Sequence, residues 1–134
     1  MKLISFSDGG ARGNPGPAGI GAVLYNEKNE IIERLSRYLG ETTNNQAEYR
    51  ALIMALERAK EIGADEVDCF LDSELVVKQL KREYKVKNQE LAPLFLKIHN
   101  ISLDFKKLTF THIPREKNKE ADTLANEAMD RMSD

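Results

Sequence analysis

Four acidic residues, Asp8, Glu48, Asp72 and Asp122, stand where solubility does not explain a carboxylate. Asp8 closes the strand-like run Lys2-Leu3-Ile4-Ser5-Phe6-Ser7 and precedes Gly9-Gly10, a pair that lets the chain turn and a ligand approach closely. Asp72 repeats that placement after Val67-Asp68-Cys69-Phe70-Leu71. In a helix from about Asn45 to Ile62, Glu48 shares a face with Leu52, Ala55 and Ala59, and in the final helix Asp122 lies over Ala125 and Met129. Both acids therefore point toward a core. Burying an unpaired charge costs several kcal/mol or shifts its pKa, so such groups are paired or bind metal. Four oxygen donors with no Cys or His at ligand spacing favour Mg²⁺ or Mn²⁺ over Zn²⁺, which suits a phosphate substrate. Singly, Asp72 could cap a helix beginning at Ser73 and Asp8 could be a turn residue. The apolar stripes that carry Glu48 and Asp122 argue instead for a shared site.

The elements that must position these acids follow from patterning. Strands are expected near residues 2–8, 19–26 and 30–39, forming an antiparallel meander around Asn26-Glu27-Lys28-Asn29. A long helix from about Asn44 comes next, then a buried strand at 66–71, a helix from Ser73, another near 89–101, a strand at 107–112 and a last helix from about 118. Alternating strands and helices in the second half imply parallel pairing. The fold class is α/β, a five-stranded mixed sheet with three antiparallel strands and two parallel additions, flanked by helices. Ligands collect beyond the carboxyl ends of parallel strands, where Asp8 and Asp72 both lie.

With 134 residues, 41% hydrophobic and 31% charged, the chain fits one globular domain over 1–134. Its apolar runs fall far short of the roughly 18 residues of a membrane span, and the N-terminus enters a strand without a signal-like region, so a cytoplasmic location is expected. Cys69 alternates with Val67 and Leu71 and reads as core. A net charge of −2 excludes a global basic field. Local charge has to meet any nucleic acid, and the richest basic stretch is Lys78, Lys81, Arg82, Lys85 and Lys87, which also suits a solvated helix face.

The phrases around the acids resemble the type 1 ribonuclease H family over essentially the whole chain. Asp8-Gly9-Gly10-Ala11-Arg12-Gly13-Asn14-Pro15-Gly16 resembles the first motif, Thr42-Thr43-Asn44-Asn45-Gln46-Ala47-Glu48 the second, Leu71-Asp72-Ser73 the third and Asn118-Lys119-Glu120-Ala121-Asp122 the fourth. The resemblance implies a ribonuclease H-like fold and an endonuclease that cuts the RNA strand of an RNA–DNA hybrid, leaving 3′-hydroxyl and 5′-phosphate ends. It implies two Mg²⁺ ions, replaceable by Mn²⁺, which activate water and stabilise the leaving oxygen without a protein nucleophile. Asp8 would bridge both ions, Glu48 and Asp72 would complete one site, and Asp122 would hold the other. Gly10, Ala11, Asn14, Asn44 and Asn45 would line the hybrid's minor groove and read the 2′-hydroxyls that mark RNA. Thr43 and Asn14 would also hold a DNA-strand phosphate, although turn and N-cap chemistry could account for these asparagines. A monomer with no obligate protein partner is expected.

Three departures from the family pattern stand out. There is no Trp, and only a short link joins Lys85 to Gln89 where bacterial members often carry a basic protrusion. Lys85 and Lys87 in its remnant become the phosphate contacts, with salt-dependent binding. Glu41 stands where many relatives place a basic residue. The loop before Asp122 is short, and counting back lands on His112 inside the strand-like run Leu108–His112, so Arg115 in Ile113-Pro114-Arg115-Glu116 is the better auxiliary group. An arginine acts electrostatically and not as a proton shuttle. His99, beside Phe95 and Ile98, reads as a structural or surface residue.

Other classes fit less well. A non-catalytic hybrid-binding module predicts loss of an acid, and none is lost. A phosphohydrolase using Asp8 as a covalent nucleophile usually presents a second Asp two residues on, where this chain has Gly10. A nucleotide loop at Gly9 to Gly16 lacks the closing Gly-Lys-Ser/Thr.

Overall fold

Alternation between apolar and polar positions organises the first half of the chain into a meander that the second half extends with parallel strands. The computed structural model describes residues 1–133. Its elements are β1 (Lys2–Ala11), β2 (Gly16–Tyr25), β3 (Ile31–Thr42), α1 (Asn44–Ile62), β4 (Glu66–Leu71), α2 (Glu74–Leu80), α3 (Ala92–Ser102), β5 (Lys107–His112) and α4 (Lys119–Arg131), with one 3-10 turn at Arg115–Lys117 before α4. The sheet runs β3-β2-β1-β4-β5, antiparallel on the β3 side and parallel from β1 through β5. The five-stranded mixed architecture read from the sequence is therefore the fold.

Side chains alternate across each strand, so the two faces of β2 meet different helices. Ile20, Ala22 and Leu24 join Leu3, Val67, Cys69 and Leu71 in a core closed by Leu52, Ala55, Leu56 and Ala59 of α1. The intervening Gly19 and Gly21 face α4, where a β-carbon on Gly21 would collide with the Ala121 carbonyl. This bare strip lets α4 lie close against the sheet, with Ala121, Ala125 and Ala128 buried. Burial pushes the Cys69 thiol up to about 12, and the residue is an inert part of the core.

Element boundaries correct the sequence reading in two places that matter for the site. The first strand does not end at Asp8 but continues to Ala11, because Gly9, Gly10 and Ala11 pair with Ile20, Gly19 and Ala18 of β2. Gly9 is no turn residue. A β-carbon there would strike the Ala47 carbonyl, so its role is to let α1 cross β1 at close range. Parallel pairing with β4 stops at Ser7 and Leu71, so β1 runs on past its neighbour and Asp8 still lies at the carboxyl end of the parallel ladder. The second correction concerns α3, which begins at Ala92 and not at 89. The Asn88 side chain accepts from the amides of Glu90 and Leu91 in a local turn, and Pro93 opens the helix.

Hydroxyls set the starts of α1 and α2. Thr43 caps α1 by accepting from the Gln46 amide at 3.3 Å, and Ser73 caps α2 by accepting from the Val76 amide at 3.3 Å. Those caps belong neither to Asn44 nor to Asp72, which leaves both side chains for other work. No helix among the described residues is long and apolar enough to cross a membrane.

Candidate active site

Three elements deliver three carboxylates to one point. Asp8 comes from β1 just beyond the parallel ladder, Asp72 from the residue after β4, and Glu48 from the first turns of α1. Each offers an oxygen within 4.8 Å of the other two. Asp8 is 6% and Glu48 7% exposed, so neither charge is dispersed by solvent. Burial raises Asp8 from the ordinary carboxylate range to about 7, with the nearby charges of Asp72 and Asp122 adding to the effect. Burial raises Glu48 well above its usual value, and the neighbouring Asp8 charge reinforces it.

Hydrogen bonds hold the acids but do not neutralise them. Gly9 donates its amide to Glu48 Oε1 at 2.5 Å, while Glu48 Oε2 is buried with no partner. An unpartnered carboxyl oxygen beside two further carboxyl groups is the arrangement a divalent cation satisfies, and an all-oxygen donor set suits a hard ion. The residues present therefore fit a metal centre that Asp8, Glu48 and Asp72 could hold. Asp122 lies outside this tight trio. It lines a cavity of about 200 Å³ together with Asp8, Gly10, Asn44, Arg115 and Asn126.

A second network shapes the rim. Asn44 Oδ1 accepts from the Ala11 amide at 2.8 Å, and Asn14 Oδ1 accepts from the Asn44 amide at 3.0 Å. The loop after β1 is thereby tied to the start of α1. Because the oxygens face the backbone, the NH₂ groups of Asn14 and Asn44 remain as outward donors. Exposed Asn45 and half-buried Thr43 stand alongside.

Among solved structures, RNase H1 of Halobacterium salinarum matches with a TM-score of 0.95 and 40% identity, over 98% of this chain and 99% of that one. Residues 6–128 match the family model described as reverse transcriptase-like. The chain belongs to the ribonuclease H family. As a ribonuclease H domain it also resembles LC11-RNase H1, a compost isolate solved in complex with an RNA/DNA hybrid, at 51% identity and a TM-score of 0.92 over 96% of this chain and 97% of that one. A bifunctional protein of Mycobacterium tuberculosis is 41% identical over 131 residues, which are 97% of this chain. The chain spans 36% of that relative's length.

Within the ribonuclease H domain, the residues singled out from sequence divide by position. Asp8, Gly10, Ala11, Asn44, Arg115 and Asp122 line one cavity, with Glu48 and Asp72 in the adjoining trio. His112 ends β5 and does not line that cavity. Lys85 and Lys87 are exposed in the link between α2 and α3 and lie away from the cavity lining, although Gln46 donates to Glu90 at 2.8 Å and so fastens the far end of that link to α1. His99 is exposed on α3, within 3.3 Å of an Arg82 nitrogen. Sequence reasoning passed over Asn118. Its side chain is buried against the acids, and the signal available was an Asn at a helix start whose phrase also contains Asp122.

Proposed function

We propose that this domain is a metal-dependent endonuclease that hydrolyses the RNA strand of RNA–DNA hybrids to 3′-hydroxyl and 5′-phosphate ends. The observation that carries the reading is the trio of Asp8, Glu48 and Asp72 oxygens within 4.8 Å of one another, beside a cavity that also holds Asp122, on a ribonuclease H fold. Two Mg²⁺ ions, or Mn²⁺ in their place, would supply an activated water and charge stabilisation at the leaving oxygen of an in-line displacement. Asp8, which belongs to the trio and also lines the cavity with Asp122, would serve both ions. Glu48 and Asp72 would complete one coordination sphere, and Asp122 the other.

The chain's own groups do the rest. Asn14, Asn44 and Asn45 present amide donors to 2′-hydroxyls along the groove rim, and the backbone at Gly10 and Ala11 allows a sugar to come close. Asn14 and Asn44 are fixed in advance by the Ala11–Asn44–Asn14 hydrogen bonds, so little ordering of these two accompanies binding. The Thr43 hydroxyl accepts from Gln46 yet keeps its own proton to donate, with Asn14, to a DNA phosphate. Arg115 faces the cavity as a permanent cation that steadies the phosphate under attack. Lys85 and Lys87 meet the duplex backbone farther out.

The test follows cleavage of a labelled RNA–DNA hybrid, single-stranded RNA and duplex DNA with Mg²⁺, Mn²⁺ or EDTA, alongside Asp8→Asn. Metal-dependent cutting confined to the hybrid's RNA strand and lost in the variant is expected. Hybrid binding without cutting under either ion would refute the nuclease reading.

A further inference from the structure

We propose that Asn118 is a positioning residue that sets the Asp72 carboxylate and ties the strand carrying Asp8 to the helix carrying Asp122. Asn118 sits at the start of α4, where asparagine ordinarily caps with its side chain. Here it makes no side-chain cap. The side chain is 1% exposed and turns toward the acids, where Nδ2 donates to the Ser7 carbonyl at 2.8 Å and to Asp72 Oδ2 at 3.0 Å. Its own backbone carbonyl accepts from the Asp122 amide at 3.1 Å. One residue thus touches the peptide just before Asp8, the carboxylate of Asp72 and the first turn beneath Asp122.

The arrangement is poor for stability alone. Asn118 Oδ1 is buried without a partner, and the helix forgoes a side-chain cap. An apolar residue of similar size would remove that orphaned oxygen, at the cost of the donor that Ser7 and Asp72 now share. What an apolar residue lacks is a neutral atom with two N–H bonds able to meet two acceptors at once. A hydroxyl offers one, a carboxylate none, and a lysine would bring a charge that competes with a metal ion for Asp72. The residue type is explained by the acids it holds and not by the helix it begins. Groups that orient metal ligands in this way typically change metal affinity or activity by about 10- to 100-fold when removed.

The inference rests on the metal-dependent reading above, and its test separates the two. Asn118→Leu keeps the volume and removes both donors, while Asn118→Ser keeps one donor. Mn²⁺ affinity is read by electron paramagnetic resonance, hybrid cleavage as kcat and KM, and melting temperature in EDTA. For Asn118→Leu, Mn²⁺ affinity and kcat fall about 10- to 100-fold with KM within about twofold of the parent, and Asn118→Ser lies between. Should the leucine variant fail to fold, a several-fold loss of Mn²⁺ affinity in the serine variant is the expected result. Parent-like Mn²⁺ affinity and kcat in the folded variants, with only the melting temperature lowered, would overturn the proposal. If the parent protein binds Mn²⁺ but leaves hybrids intact, the nuclease reading fails while the Mn²⁺ titration still decides the role of Asn118.

Discussion

Asp8→Asn should make the metal-free protein more stable while abolishing its chemistry. Burial holds Asp8 at about 7 in the folded chain, against about 3.9 for an unfolded aspartate. The folded value is the higher, so the fold favours the protonated acid. That contribution is complete below about pH 4 and disappears as pH rises through 7. The gap of roughly three pH units corresponds to about 4 kcal/mol, of which the two units above pH 5 carry somewhat under 3 kcal/mol. For a domain of this size, about 3 °C per kcal/mol translates that into a fall of about 8 °C between pH 5 and pH 8 in EDTA. Glu48, raised by the same burial, adds in the same direction. Asparagine cannot ionise, so the variant should lose the Asp8 share of this slope, keep the part due to buried Glu48, and melt above the parent at pH 8. Saturating Mg²⁺ or Mn²⁺ should restore the parent but not the variant, because the ion binds only the folded, ionised site. The assay is thermal unfolding of both proteins at pH 5, 6, 7 and 8, with EDTA or metal. A parent whose melting temperature holds steady from pH 5 to 8 in EDTA, or a variant that declines in parallel with it, would refute the argument.

Removing Lys85 and Lys87 together should weaken hybrid binding without changing kcat, and should lower the slope of log affinity against log salt by roughly 0.7–0.9 for each phosphate that is no longer neutralised. Titration of the hybrid at several salt concentrations measures this, and an unchanged slope would mean that the lysines meet solvent only. Arg115→Ala should slow cleavage by about tenfold or more through lost charge stabilisation, whereas His112→Ala should leave the rate within about twofold; steady-state kinetics of the two variants decide between them. Gly9→Ala should cost about 1–3 kcal/mol in urea unfolding, because the new β-carbon meets the Ala47 carbonyl and α1 must move with Glu48.

The fold and the trio of acids were legible because strong signals carry them. Glu48 on the stripe of Leu52, Ala55 and Ala59 could only face a core, and all four of these residues are buried. Asp72 after the buried run 67–71 had to lie at a strand end once that strand paired in parallel. What escaped depends on partners that one segment does not reveal. Glycines are poor strand formers, so Gly9-Gly10 looked like a turn until β2 was found pairing with them. Thr43 and Asn44 both suit a helix cap, and only the position of the Ala11 amide shows why threonine caps and asparagine does not. Asn118 gave no clue to its acceptors, which come from residues 111 and 46 positions away.

The stretch of β1 that outruns β4 is a bare strand edge, and edges of this kind recruit further strands. Two amides on that stretch are already taken, Gly9 by Glu48 and Ala11 by Asn44. The side chains proposed for metal and ribose thus also occupy the donors that an added strand would have to pair with. Variants at Asn44 would therefore be judged unfairly on activity alone. Uncapping the Ala11 amide leaves an unpaired donor beside the cavity, and self-association through that edge would lower apparent turnover even where the groove itself was sound.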